Sequence, residues 1–194
     1  GTADASYADR ADRCRRHVLF VKEQQYLVLV DEFVAKRGMA SALQWNIHSW
    51  GAFETDGERA FWTERGNSTL YGHVMHNRAG FFSLAEGWDP PPMRGKDSAQ
   101  WLQQYHLRFT PNGIEVPKRN LGVVLCWDHA GWSKPAVETH LHGDTEVAQV
   151  GDDLVLVNGG TGISYRGHVS DAVVWMLIGG QKYAVRDEGL IRQP

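Results

Sequence analysis

Two histidines of this chain lie in short segments whose side chains alternate between apolar and polar. In residues 43–49 one face of such a strand carries Asn46 and His48, and in residues 101–109 one face carries His106, because successive side chains of a strand point to opposite sides. If the two strands are neighbours in one sheet, the two imidazoles meet on its polar surface. The pattern leaves two interpretations open, a metal site or two hydrogen-bonded histidines.

A second pair of imidazoles stands at His140 and His142. Residues two apart on a strand face the same way, which suits metal binding. The Gly143-Asp144 pair that follows also allows an exposed loop end. The chain has no Gly-x-Ser-x-Gly elbow, no phosphate-cradling glycine loop and no Cys-x-x-Cys motif. The glycine-rich run at 159–162 has no helix after it and is interpreted as a hairpin turn.

Short apolar runs separated by Gly, Pro, Asn and Asp follow one another along most of the chain. The predicted runs are 17–22, 26–34, 42–53, 68–76, 101–110, 121–127, 145–150, 153–158, 162–166, 172–178 and 182–186. Many short strands at close spacing predict an all-β fold, an antiparallel β-sandwich. Residues 1–16 are charged and rich in Ala, which predicts a linker or a short helix. We therefore expect one sandwich domain over residues 17–194.

Composition narrows the function classes. The 194 residues carry a net charge of -3 and no long Lys/Arg run, which argues against nucleic-acid binding. No apolar run is long enough to cross a bilayer. The polar N-terminal residues lack the apolar segment of a signal peptide, as in a processed protein or a piece of a longer chain. Cys14 and Cys126 either pair or remain thiols. We expect most of the eight Trp to lie in the core.

Several segments, in their order along the chain, resemble one enzyme family. They are RRHVLFV at 15–21, YLVLVDEF at 26–33, QWNIH at 44–48, GWDPP at 87–91 and YHLR at 105–108. Together they look like the C-terminal β-sandwich of heparinase II/III-type polysaccharide lyases. The resemblance covers roughly residues 7–157 and implies a super-sandwich of stacked sheets.

The resemblance also implies an activity. Such lyases cleave uronic-acid polysaccharides by β-elimination, in a cleft between an N-terminal (α/α) toroid and the sandwich. A Tyr and a His or Asn of the toroid do most of the proton chemistry. The long amphipathic helices of a toroid are missing from this sequence, so we expect a partial enzyme that is inactive alone.

Family members hold a structural zinc ion with two His and one carboxylate, and the resemblance carries this set onto particular residues. His48 matches the first histidine and His106 the second. We expect the carboxylate at Glu64, with Asp56 as the alternative, although neither falls at the family's usual spacing. Two neutral imidazoles and one carboxylate form a reasonable set of Zn²⁺ ligands, with one position left for water.

The resemblance further gives Asn46 a possible role. In the family, the position two residues before the first metal histidine often carries a catalytic His. A neutral amide can donate a hydrogen bond to the substrate carboxylate, but it supplies neither a proton nor a positive charge. Asn46 is therefore expected to neutralise the carboxylate or to be a polar surface residue.

The leading hypothesis is the sandwich part of a lyase that acts on a heparin-, heparan- or alginate-like polymer. Its expected partners are the acidic polysaccharide and the toroid of the same full-length chain, and neither nucleic acid nor membrane. The family's substrates imply a periplasmic or secreted location. The first alternative is a free-standing carbohydrate-binding β-sandwich that uses exposed Trp or Tyr. The second is a cupin-like metal enzyme built around His140 and His142.

Overall fold

The computed structural model describes residue 3 and residues 5–37, 44–75, 79–87, 103–112, 118–187 and 189–193. A 3-10 turn, Ala5–Tyr7, precedes the strands. The strands are β1 (Ala11–Val21), β2 (Tyr26–Ala35), β3 (Trp45–Ser49), β4 (Phe53–Asp56), β5 (Ala60–Arg65), β6 (Ser68–Met75), β7 (Gly80–Glu86), β8 (Tyr105–Pro111), β9 (Lys118–Asp128), β10 (Val137–His142), β11 (Thr145–Val150), β12 (Asp153–Asn158), β13 (Ile163–Tyr165), β14 (His168–Ser170), β15 (Val174–Ile178), β16 (Gln181–Arg186) and β17 (Gly189–Gln193).

The strands form four antiparallel layers. The central sheet has the order β1-β2-β9-β6-β5-β4, and the C-terminal sheet has the order β10-β11-β12-β15-β16-β17. A small sheet, β3-β8-β7, and the hairpin β13-β14 complete the set. The predicted all-β sandwich is confirmed, and its sheets are stacked.

Apolar residues on both faces of the central sheet explain the stacking. Val28 and Val124 pack with Val155 of the C-terminal sheet. On the opposite face, Phe61 contacts Trp45 of the small sheet, with ring centroids 5.7 Å apart. A strand that is buried on both sides has a continuous apolar run instead of an alternating one. This is why residues 26–30 read YLVLV.

The hairpin covers the outer face of the C-terminal sheet. Ile163 and Tyr165 of the hairpin strand β13 pack in one buried cluster with Leu156 and Trp175. The layers therefore follow one another as small sheet, central sheet, C-terminal sheet and hairpin.

The N-terminal linker is shorter than the sequence predicted, because residues 11–16 belong to β1. Their charged side chains pair across the strands. Arg16 donates to Asp31 of β2 through two hydrogen bonds of 2.6 Å, and Arg13 donates to Glu32 at 2.9 Å. These charged residues give the segment no apolar pattern, although Arg13 and Arg16 each pair with an acidic residue of β2.

The two cysteines do not form a disulfide. Cys14 pairs in register with Phe33, and Cys126 pairs with Tyr26. Strand alternation then places the two thiols on opposite faces of the central sheet. Burial raises the pKa of the Cys126 thiol to about 11. Within the described part of the chain, no helix is both long enough and apolar enough to span a membrane.

Candidate functional site

The small sheet brings the two predicted histidines together. β3 pairs with β8 so that His48 lies directly opposite His106. Their ring centroids are 4.2 Å apart, with an interplanar angle of 60°. The two strands are thus neighbours, which is the condition under which strand alternation brings the two imidazoles together.

Burial shows which way these side chains face. Trp45, Leu107 and Phe109 are buried in the cluster between the small and central sheets. The alternate residues of the same strands therefore point away from the central sheet. His48 and Asn46 are exposed, and His106 is half-buried.

His106 has a fixed orientation. Its Nε2 donates to the carbonyl oxygen of Gly87 at 2.5 Å. A carbonyl oxygen can only accept, so Nε2 carries the proton, and the neutral ring keeps its lone pair on Nδ1. Zinc-binding histidines are commonly oriented by such a bond from the other ring nitrogen.

Asn46 and Arg108 form the next row of the same face. The two residues are register partners, and Arg108 Nε donates to Asn46 Oδ1 at 3.0 Å. Asn46 thus uses its acceptor on the guanidinium, which leaves its Nδ2 group as a donor. Hydrogen-bond donors therefore dominate this row.

Among the described strand residues, the outer face of the small sheet carries a positive charge and no carboxylate. By strand alternation, its outward positions in the described strands β3, β8 and β7 are Asn46, His48, Phe81, Ser83, Ala85, His106, Arg108 and Thr110. We call Asn46, His48, His106 and Arg108 the polar band. It presents one permanent cation, an amide and two imidazoles in a chain of net charge -3. This arrangement suits an anionic ligand.

A small cavity of about 210 Å³ opens beside one end of the polar band. Its lining includes His106, Glu86 and the apolar side chains of Phe53 and Leu84. The cavity places His106 beside both apolar side chains and the acidic Glu86, next to the open face of the sheet.

The structure does not bring Glu64 to the two histidines. Phe61 and Thr63 of β5 face the small sheet, because Phe61 packs on Trp45 and Thr63 Oγ1 lies 3.0 Å from Ser49 Oγ. Alternation turns Glu64 to the opposite side of the central sheet.

Asp56 faces the same side as Glu64, since it pairs with Ala60 in register. Two sheets therefore separate both carboxylates from the outward-facing imidazoles. Among the described residues, no group of three or more His, Cys, Asp or Glu is placed to hold a metal ion. The polar band supplies two of the three ligands that the resemblance implies.

His140 and His142 lie on β10 and face the same way, as two residues on one strand should. Both rings pack on Tyr165, with centroids 5.7 and 5.4 Å away. A cavity of about 500 Å³ lies beside His142, and its lining includes Asp144 and Thr161. Thr161 donates to Asp144 through its backbone N and its Oγ1, each at 3.0 Å. Packing on Tyr165 accounts for the alignment of the two histidines.

Sequence reasoning did not single out Arg108 as a site residue. Arg108 lies on the same polar face of its strand as His106, so strand alternation could have indicated it. The pairing of β3 with β8, which places Arg108 opposite Asn46, is not evident from the sequence. Phe81 and Trp50, whose side chains are 53% and 52% exposed, were missed because β7 has few apolar residues in alternation and Trp50 follows the end of β3.

The chain matches no protein-family model and no curated protein. The resemblance to heparinase II/III-type lyases therefore stays a prediction, and the family is not established.

Proposed function

We propose that this chain binds a uronic-acid polysaccharide and forms one wall of the cleft of a β-eliminating lyase. The polar band carries the proposal: Arg108 and Asn46 lie side by side, next to His48 and His106, on a sheet face whose described outward residues include no carboxylate. The order of motifs that resembles the lyase sandwich supports the same function. A periplasmic or secreted location belongs to this proposal, since such polymers are extracellular or imported.

The chemistry of elimination explains why these donors matter. A base takes the proton at C5 of the uronate, the C4–O bond breaks, and a C4=C5 double bond forms. The departing oxygen takes up a proton. Negative charge develops towards the uronate carboxylate as the C5–H bond breaks, so fixed donors there lower the barrier. Arg108 can pair with a carboxylate through two N–H groups, and the Asn46 amide can add a third donor.

The acid and base of the reaction are proposed to come from the toroid of the full-length chain. Asn46 is not assigned to them, because an amide cannot transfer a proton, and the two imidazoles of the polar band are proposed as metal ligands. The isolated domain is therefore expected to bind the polymer without cleaving it.

Zinc remains a proposal for the His48–His106 pair. A bound ion would tie β3 to β8 and so fix the polar band, as a structural zinc does. The donor set fits only in part, since two imidazoles are present and Glu64 faces away. Zinc in the purified chain that is lost in His48→Ala would support the site, and metal-free wild-type protein would argue against it.

The alternative is a free-standing carbohydrate-binding module. The exposed rings of Phe81 and Trp50 favour it, since aromatic faces stack on sugars. If the gene product has several hundred helical residues upstream of this sequence, the lyase is favoured over the free-standing carbohydrate-binding module.

Calorimetric titration of the chain with acidic and neutral polysaccharides tests the proposal. Heparin, heparan sulfate or alginate should bind, more weakly as salt is added, because salt screens the charge of Arg108. A neutral glucan should not bind. Absorbance of an unsaturated uronate product should not rise. Equal binding of neutral and acidic polymers would contradict the proposed substrate class. Turnover by the pure domain would contradict the proposal that the acid and base come from the toroid.

A further inference from the structure

Trp50 is an exposed tryptophan held in place by a cation. Its side chain is 52% exposed, and the Arg65 guanidinium carbon lies 4.2 Å from the centroid of its ring. Exposed indole surface is unfavourable in water, whereas a guanidinium stacked on an indole is attracted to the ring. Arg65 therefore holds the indole in one position while part of its surface faces solvent.

The fold explains why these two residues meet. Trp50 comes directly after β3, and Arg65 is the last residue of β5. Phe61, Thr63 and Arg65 share the face of the central sheet that looks towards the small sheet. Arg65 thus reaches Trp50 from the neighbouring layer.

Trp50 lies one residue beyond the end of β3. It follows Asn46 by four positions, so the two residues are up to about 13 Å apart at roughly 3.3 Å per residue. At the other end, Phe81 pairs with Thr110, one row beyond Arg108. Exposed aromatic rings thus lie near both ends of the polar band.

We infer that Trp50 and Arg65 form a separate subsite for one acidic sugar residue of the polymer. This inference rests on the proposed function, because it gives the same polysaccharide a second contact just beyond the end of β3. The C–H face of a sugar ring would stack on the exposed indole. The Arg65 guanidinium at the ring would pair with the carboxylate or sulfate of that sugar. The distance from Asn46 means that an oligosaccharide of several units is needed to reach both places.

Titration of variants with heparin or alginate oligosaccharides of two sizes tests the subsite. Trp50→Ala should weaken binding of an octasaccharide about tenfold, a loss typical of one stacking contact. It should leave binding of a disaccharide that occupies the polar band unchanged. Trp50→Phe should retain most of the affinity, because a flat ring remains. Arg65→Gln should weaken the acidic octasaccharide, and Arg65→Lys should weaken it less.

Trp132 provides the matched control, since it is 40% exposed and lies between β9 and β10. Trp132→Ala should bind the octasaccharide like wild type. Unchanged octasaccharide binding by Trp50→Ala would overturn the subsite, and the proposed function would stand if Arg108→Ala still lost affinity. If Trp50→Ala loses affinity but Arg108→Ala does not, the polar band is wrong as the binding site. If the wild-type chain binds no acidic oligosaccharide, both the subsite and the proposed function are overturned.

Discussion

A buried carboxylate, Glu32, shows how single residues join two layers of this fold. Its side chain is fully buried, and it accepts from Arg13 Nη1 at 2.9 Å and contacts His17 Nε2 at 3.5 Å. Burial by itself would raise the pKa of Glu32, but the hydrogen bonds from His17 and Arg13 outweigh it and lower the pKa to about 2. Arg13 also donates to Asp187 in the turn between β16 and β17 at 3.1 Å. The network therefore links the central and C-terminal sheets.

Removing the cation from this network should be costly. Arg13→Met should lower the free energy of unfolding by about 3 kcal/mol, because Glu32 stays buried after losing its hydrogen bond from Arg13. The double variant Arg13→Met, Glu32→Leu should recover most of that loss, since no buried charge remains. Denaturant unfolding measures all three proteins. If the double variant is no more stable than Arg13→Met, the loss of stability in Arg13→Met does not come from the unpaired Glu32 carboxylate.

The same network sets an acid limit on stability. Since the folded pKa of Glu32 lies below its unfolded value near 4.3, the stabilisation is complete above pH 4.3 and is lost as pH falls towards 2. Glu32→Gln should remove this part of the pH dependence. None of this was predictable from the sequence, because Arg13 and Glu32 are 19 residues apart and their meeting depends on the register of β1 with β2.

At the scale of strands, sequence patterns worked best where burial is strongest. β11 and β12 match their predicted bounds, because apolar runs end at a Gly151-Asp152 turn. β7 and β17 were not predicted, and most of their side chains are exposed. Strand alternation correctly placed His48 and His106 on polar faces. It could not place Glu64, whose position depends on which sheet β5 joins.

A glycine in β6 makes room for the ring of its partner on the neighbouring strand, Phe61. A Cβ atom on Gly72 would lie 2.0 Å from the Phe61 ring, which also contacts Trp45 and Phe82 of the small sheet. Gly72→Ala should destabilise the fold by about 2 kcal/mol, because the ring must leave its place between the sheets. In a Phe61→Leu background the same change should cost less. Thermal melts of the four proteins check this, and equal losses in both backgrounds would contradict the contact.

The whole molecule is a stack in which the two middle layers carry the core. The polar band lies on the outermost face of one end layer, where β3, β8 and β7 are supported from behind by aromatic packing. Such support holds Asn46 and Arg108 in place without burying them. The all-β sandwich was predictable from the many short apolar runs, but the exposed face that the small sheet offers was not, since it depends on how β3 pairs with β8.

The affinity of Arg108→Ala for a heparin or alginate octasaccharide tests the central claim most directly. Losing one paired cation should weaken binding at least tenfold and reduce its salt dependence. Arg192→Ala removes an equal charge from β17, in the C-terminal sheet, and should bind like wild type. Unfolding temperatures of both variants should stay near the wild-type value, because both side chains are exposed. Equal affinity in Arg108→Ala and wild type, or equal losses in both variants, would contradict acidic polysaccharide binding at the polar band.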